Sequence, residues 1–126
     1  MANTKPDKVH GFAHVLAATR YSLAGARRLW GETAFRHEAT LGGLALLLMA
    51  LVGASLSQLA VGLVLVLVTF AIEALNTALE EIVDHISPDY SDMAKHAKDL
   101  GSFAVMCMLF ANAAYLACVL IVCFNS

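Results

Sequence analysis

"ATLGGLALLLMALVGASLSQLAVGLVLVLVTFAI", residues 39–72, carries no charged side chain over its whole length. A bilayer-spanning helix needs about 20 mostly apolar residues, so the run is long enough for more than one crossing. The only turn-like stretch inside it is GASLSQ, Gly53–Gln58, and small and polar residues of this kind reverse a chain. The expected reading is a first span over 39–56 and a second over 59–84, the second broken late by carboxylates. Charges are absent again beyond Asp99, which gives a third span over 100–124. The expected fold class is therefore an all-α membrane protein with three transmembrane helices, in a single membrane domain covering residues 1–126.

Composition supports this. Hydrophobic residues make up 60% of the 126-residue chain and charged ones 14%, against about 45–50% and about 25% in soluble globular proteins. Mean hydropathy is +0.72. A net charge of −2 gives no electrostatic footprint for nucleic acid, and none is expected as a partner. All 8 basic residues fall on one side of the three-span layout. Lys5, Lys8, Arg20, Arg27, Arg28 and Arg36 precede span 1, and Lys95 and Lys98 lie between spans 2 and 3. Basic residues are retained on the cytoplasmic side, so the N-terminus and an 85–99 loop are expected in the cytoplasm and the C-terminus outside. No cleavable signal peptide is apparent, because the first apolar run begins only at Ala39. Cys107, Cys118 and Cys123 all fall in span 3 without a CxxC pair and read as packing residues.

Residues 11–30, GFAHVLAATRYSLAGARRLW, are too polar to span. At helical spacing Phe12, Val15, Leu16, Thr19, Leu23, Ala26 and Trp30 share one stripe, opposite His14, Tyr21 and Arg28. This pattern describes an amphipathic helix lying in the membrane interface, or alternatively one packed on other protein segments.

The end of span 2 carries the chemistry. Taking Glu73 as zero, Asn76 falls at about −60°, Thr77 at about 40°, Glu80 at about −20° and Asp84 at about 20°, with Glu81 at the margin. If Gln58 marks one membrane boundary, Glu73 lies about 22 Å further along, just inside the far boundary of a core about 30 Å thick. A carboxylate partly shielded from water is a better base than an exposed one. At that depth it reaches a lipid headgroup and a water-soluble cosubstrate together. Mg²⁺ takes carboxylate and phosphate oxygens, and Glu80 and Glu32 are candidate donors. A structural role for Glu73, bonded to a neighbouring helix, is the other reading. Lys98, at the entrance of span 3, suits phosphate neutralisation or simple membrane anchoring. His85 and His96 lack ligand spacing. There is no glycine-rich phosphate loop of the GxxxxGK[ST] or GxGxxG type.

EALNTALEEIVD (Glu73–Asp84) followed by AKHAKDLGSFAV (Ala94–Val105) closely resembles the small integral-membrane diacylglycerol kinases of bacteria. GFAHVLAATRYSLAG and RLWGETAFRHE extend the resemblance over nearly the whole chain. It implies an inner-membrane homotrimer with active sites between protomers. By resemblance, Glu73 is the catalytic base for a lipid hydroxyl, and Glu32 and Glu80 bind the Mg²⁺ that accompanies ATP. Asn76 is their polar neighbour. Lys98 and Asp99 would meet the nucleotide, with Asp89, Tyr90 and Ser91 at its adenine end. Tyr21, Ser22, Glu38 and Ser102 would line the substrate and nucleotide region. The chain departs from the family pattern at His14, where an arginine is usual, at Leu23 in place of a tryptophan, and by one residue fewer between Trp30 and Phe35. By resemblance His14 takes the place of a nucleotide contact, with an imidazole where the family has a guanidinium.

The implied activity is phosphoryl transfer from ATP to sn-1,2-diacylglycerol, giving phosphatidic acid that re-enters phospholipid synthesis. Undecaprenol kinases share the Glu73–Asn76–Glu80 and Lys98–Asp99 motifs, but W-x-E-T-A-F-R-x-E favours the diacylglycerol enzymes. A small proton-coupled multidrug transporter would carry its carboxylate near the bilayer midplane. A purely structural subunit would leave the aligned carboxylates unexplained.

Overall fold

The computed structural model describes residues 10–126, which form four helices and, among the described residues, no strand. Lys5 and Lys8, counted in the charge argument, lie outside them. Helix α1 runs Phe12–Trp30, α2 Thr33–Leu51, α3 Leu56–Ile86 and α4 Asp92–Phe124. The last three are long and apolar enough to cross a membrane. They run up, down and up, so the start of α2, the end of α3 and the start of α4 lie at one end, called here the carboxylate end.

Local chemistry sets where each helix stops. At the other end Gly53 adopts φ 85°, a left-handed conformation that glycine takes without steric cost. Ala54 N–H bonds to Met49 O at 2.9 Å and Gly53 N–H to Ala50 O at 3.2 Å, the Schellman closure of α2. Two residues later Ser55 and Gln58 form a reciprocal capping box, at 3.2 Å and 2.7 Å, that starts α3. The reversal is thus Val52–Ser55, tighter than the expected Gly53–Gln58. Tyr115 on α4 donates its hydroxyl to Gln58 O at 2.8 Å, fastening α4 beside the turn.

At the carboxylate end the helices run past the expected spans. The segment 85–99, expected as a loop, is helical from Asp92, which leaves Ser87–Ser91 between α3 and α4. Ser91 explains this. Its hydroxyl accepts from Ala94 N–H at 3.1 Å, and Asp92 in the first turn complements the helix dipole. Likewise α2 begins at Thr33 rather than Ala39. At 1.5 Å per residue α3 is about 46 Å long and α4 about 50 Å, so both outreach a hydrocarbon core of about 30 Å.

Helix α3 packs chiefly on α4 and secondarily on α2. Gly62 lets α2 come close: a Cβ there would sit 3.1 Å from Leu46 Cδ2 and 3.2 Å from Met49 Cε, as expected of small residues between membrane helices. Edge-to-face pairs Trp30–Phe35 (6.1 Å) and Phe35–Phe70 (4.9 Å) tie the α1–α2 corner to α3. Thr69, 4% exposed, accepts from Asn112 Nδ2 at 2.8 Å. Removing that α3–α4 bond by Asn112→Ala is expected to lower stability by about 0.6–1.7 kcal/mol, measured by unfolding in mixed micelles.

Helix α1 stands largely apart. Every residue of its apolar stripe is exposed, Phe12 by 78%, and only Leu29 is buried. Among the described residues the stripe has no protein partner, which favours the interfacial reading over packing on other segments. Leu41, Leu75 and Phe110 on the three long helices are also exposed, as surfaces facing lipid or another subunit are.

Candidate functional site

The carboxylate stripe of α3 is present as an aligned set, and burial separates its members. Glu73 is 6% exposed. Among the described residues no hydrogen bond or ion pair reaches its carboxylate, so a structural bond to a neighbouring helix has no partner among them. The charges of Glu80 and Glu32 act on it, and its own acts on Glu38 of α2. Four carboxylates from α2, the α1–α2 connection and α3 therefore share one electrostatic neighbourhood.

Asn76 lies one turn beyond Glu73. Its Nδ2 donates to Glu80 Oε1 at 3.3 Å, while its Oδ1 is buried with no partner. The side chain fits against α4 because residue 101 is glycine: a Cβ there would overlap Asn76 Oδ1. Glu38 Oε2 is the second buried oxygen without a partner. It sits at the end of an apolar groove of about 300 Å³ between α2, α3 and α4, lined further by Val66, Phe70 and Leu109.

Three of the expected ligand-binding charges at this end, Lys98, Asp99 and Glu32, are paired within the chain. Lys98 pairs with Asp84 of α3, and Asp99 pairs with Lys95 one turn earlier. Glu32 bonds Arg28 at 2.6 Å, and Arg28 also pairs with Glu81 of α3. The bond to Glu32, then that to Glu81, raises the Arg28 guanidinium above its ordinary pKa.

The structure thus brings Glu73, Asn76, Glu80, Glu38 and Glu32 together, with Lys98 on α4 joined to the same helix through Asp84. Ser102 is exposed beside Gly101. Asp89, Tyr90 and Ser91 form the short connection before α4, where Ser91 serves as its cap and Tyr90 bonds Asp92 at 3.3 Å. Ser22 lines a gap of about 450 Å³ between α1 and α3, opposite Thr77 and Ala74. His14 and Tyr21 are exposed on α1, with no hydrogen bond to the α3 carboxylates. Among the described residues no group of three or more His, Cys, Asp or Glu is arranged to hold a metal ion.

Arg28 and Gly101 also belong to this site, and neither carries a sequence signal for it. Asp84, on the stripe, and Glu81, at its margin, align with Glu73 by helical spacing, but their partners depend on how α1 and α4 meet α3.

A profile of the family described as prokaryotic diacylglycerol kinase matches residues 20–120. A diacylglycerol kinase from a Sinorhizobium species is 50% identical over 115 residues, covering 91% of this chain and 84% of that protein. Diacylglycerol kinases of Escherichia coli K12 (38% over 101 residues, 76% of this chain and 80% of that protein) and Haemophilus influenzae (35% over 103 residues, 81% and 87%) are also similar.

Proposed function

The chain belongs to the prokaryotic diacylglycerol kinase family, and from that membership we propose that it transfers the γ-phosphoryl group of ATP to the 3-hydroxyl of sn-1,2-diacylglycerol. The products are phosphatidic acid and ADP. The similar proteins named above are diacylglycerol kinases, so undecaprenol as acceptor is not favoured.

The observation that carries the mechanism is the unpaired, buried Glu73 beside a fixed Glu80. The acceptor hydroxyl oxygen forms the new bond to the γ-phosphorus while the bond to the ADP oxygen breaks, and Glu73 takes the hydroxyl proton. Asn76 holds Glu80 in orientation. Lys98 exchanges Asp84 for the nucleotide phosphates, and Asp99 with the Asp89–Ser91 connection borders the nucleotide. Catalysis is then chiefly positioning and charge neutralisation.

Glu80 and Glu32 fit Mg²⁺ as two hard oxygen donors, since this ion completes its shell with phosphates and water rather than a full protein cage. Bound with ATP, it would neutralise charge on the transferring phosphates. A homotrimer in the bacterial inner membrane fits the exposed apolar faces of α2, α3 and α4. The one-sided basic residues support a cytoplasmic carboxylate end and a periplasmic C-terminus.

The test is transfer from γ-labelled ATP with Mg²⁺ in mixed micelles, offering diacylglycerol and undecaprenol in parallel. Label is expected chiefly in phosphatidic acid. Label chiefly in undecaprenyl phosphate would overturn the acceptor, and none in either lipid from folded protein would overturn the kinase reading.

A further inference from the structure

Glu32 occupies an awkward place for a residue that has to hold a ligand. It lies in the short connection between α1 and α2, extended at φ −83° and ψ 129°, and its side chain makes no cap bond to its own helix. Its described partner is Arg28, from the last turn of α1. The same guanidinium pairs with Glu81 on α3. Arginine suits this double task, because its planar fork presents several donors in fixed directions, whereas a lysine ammonium is a single point charge.

A second arginine holds the corner independently. Arg36 Nη1 donates to Trp30 O at 3.0 Å and Gly31 O at 3.3 Å, and Nη2 to Thr33 Oγ1 at 3.2 Å. Together with the Trp30–Phe35–Phe70 contacts these bonds fix the backbone path from α1 into α2. The two arginines divide the work, with Arg36 securing the backbone of the corner and Arg28 the carboxylate it carries.

We infer that Arg28 is a positioning residue of the phosphoryl-transfer site: by binding Glu32 and Glu81 at once it fastens the end of α1 to α3 and holds the Glu32 carboxylate beside Glu73 and Glu80. This rests on the reading of Glu32 as a donor to the divalent cation. Two carboxylates share one guanidinium, so when a cation draws on Glu32 the arginine remains anchored through Glu81. Arg28 touches neither substrate nor nucleotide in this role.

The test is Mn²⁺ binding to the full-length protein in micelles with a non-hydrolysable ATP analogue and no lipid acceptor, read from loss of the free-ion paramagnetic resonance signal. Arg28→Gln and Glu81→Gln are each expected to weaken binding by about two- to fivefold, the range of one exposed ion pair. The double variant should be no weaker than either single one, because both break the same fastening. Arg28→Lys should fall between wild type and Arg28→Gln. Unchanged or tighter binding in Arg28→Gln would overturn the inference, and tighter binding would make Arg28 a competitor of the cation instead. Glu32→Gln separates the two levels. If it weakens binding and Arg28→Gln does not, only the positioning role fails. If Glu32→Gln leaves binding unchanged, the metal role of Glu32 fails and the inference with it. The Trp30 emission spectrum, from the sole tryptophan, should match wild type in Arg28→Gln, since Arg36 keeps the corner. A shifted spectrum would mean that Arg28 serves the fold rather than the carboxylate, and would also overturn the inference.

Discussion

Glu73→Gln is expected to abolish lipid phosphorylation, lowering kcat by about 10²–10⁴-fold, while ATP binding is retained and the folded protein becomes more stable. Glutamine keeps the shape but cannot accept the hydroxyl proton. The stability change has the opposite sign because Glu73 is buried with no described partner. A buried charge without compensation costs more than a buried neutral amide, so the substitution should raise stability. Turnover and unfolding in the same micelles check both halves. Retained activity would remove Glu73 as base. Lost activity with lowered stability would return it to a structural role.

Gly101→Ala should be the most damaging small substitution. Its new Cβ would overlap Asn76 Oδ1, the far end of that side chain, so Asn76 has to swing out of its place between α3 and α4. Overpacking of this kind costs about 1–3 kcal/mol. Asn76 also holds Glu80, and a displacement of that size within a positioned site can lower turnover by about 10²-fold. Adding Asn76→Ala to Gly101→Ala restores the space. The double variant should regain stability without regaining turnover. Recovery of both would mean that Asn76 matters only as filling.

Much of this was legible from the chain. The uncharged run 39–72 gave two crossings and a reversal, because removing charge from so many consecutive residues has few other physical explanations. The stripe Glu73–Asn76–Glu80–Asp84 followed from helical spacing alone. The helix ends did not. The residues 92–99 are polar and were read as loop, although polarity only says that a segment lies in water, and Ser91 with Asp92 starts a helix there. Pairings across elements were also hidden. Arg28 with Glu81 and Lys98 with Asp84 join residues far apart in sequence, and no periodicity within one helix reveals which partner a neighbouring helix brings. Asn76 against Gly101 is of the same kind, since a glycine at the start of a span reads equally as flexibility or as room for a neighbour.

The four-residue reversal between α2 and α3 bears on how such a chain enters its membrane during synthesis. Whichever helix emerges first, those residues have to be carried through the hydrocarbon, where each unbonded backbone N–H or C=O costs several kcal/mol. Here the closing bonds of α2 and the reciprocal Ser55–Gln58 pair answer all four backbone N–H groups of the turn from nearby residues, and no charge lies between Ala39 and Ile72. The two helices can therefore insert as one preassembled hairpin, carrying across only a four-residue turn and needing no partner waiting on the far side.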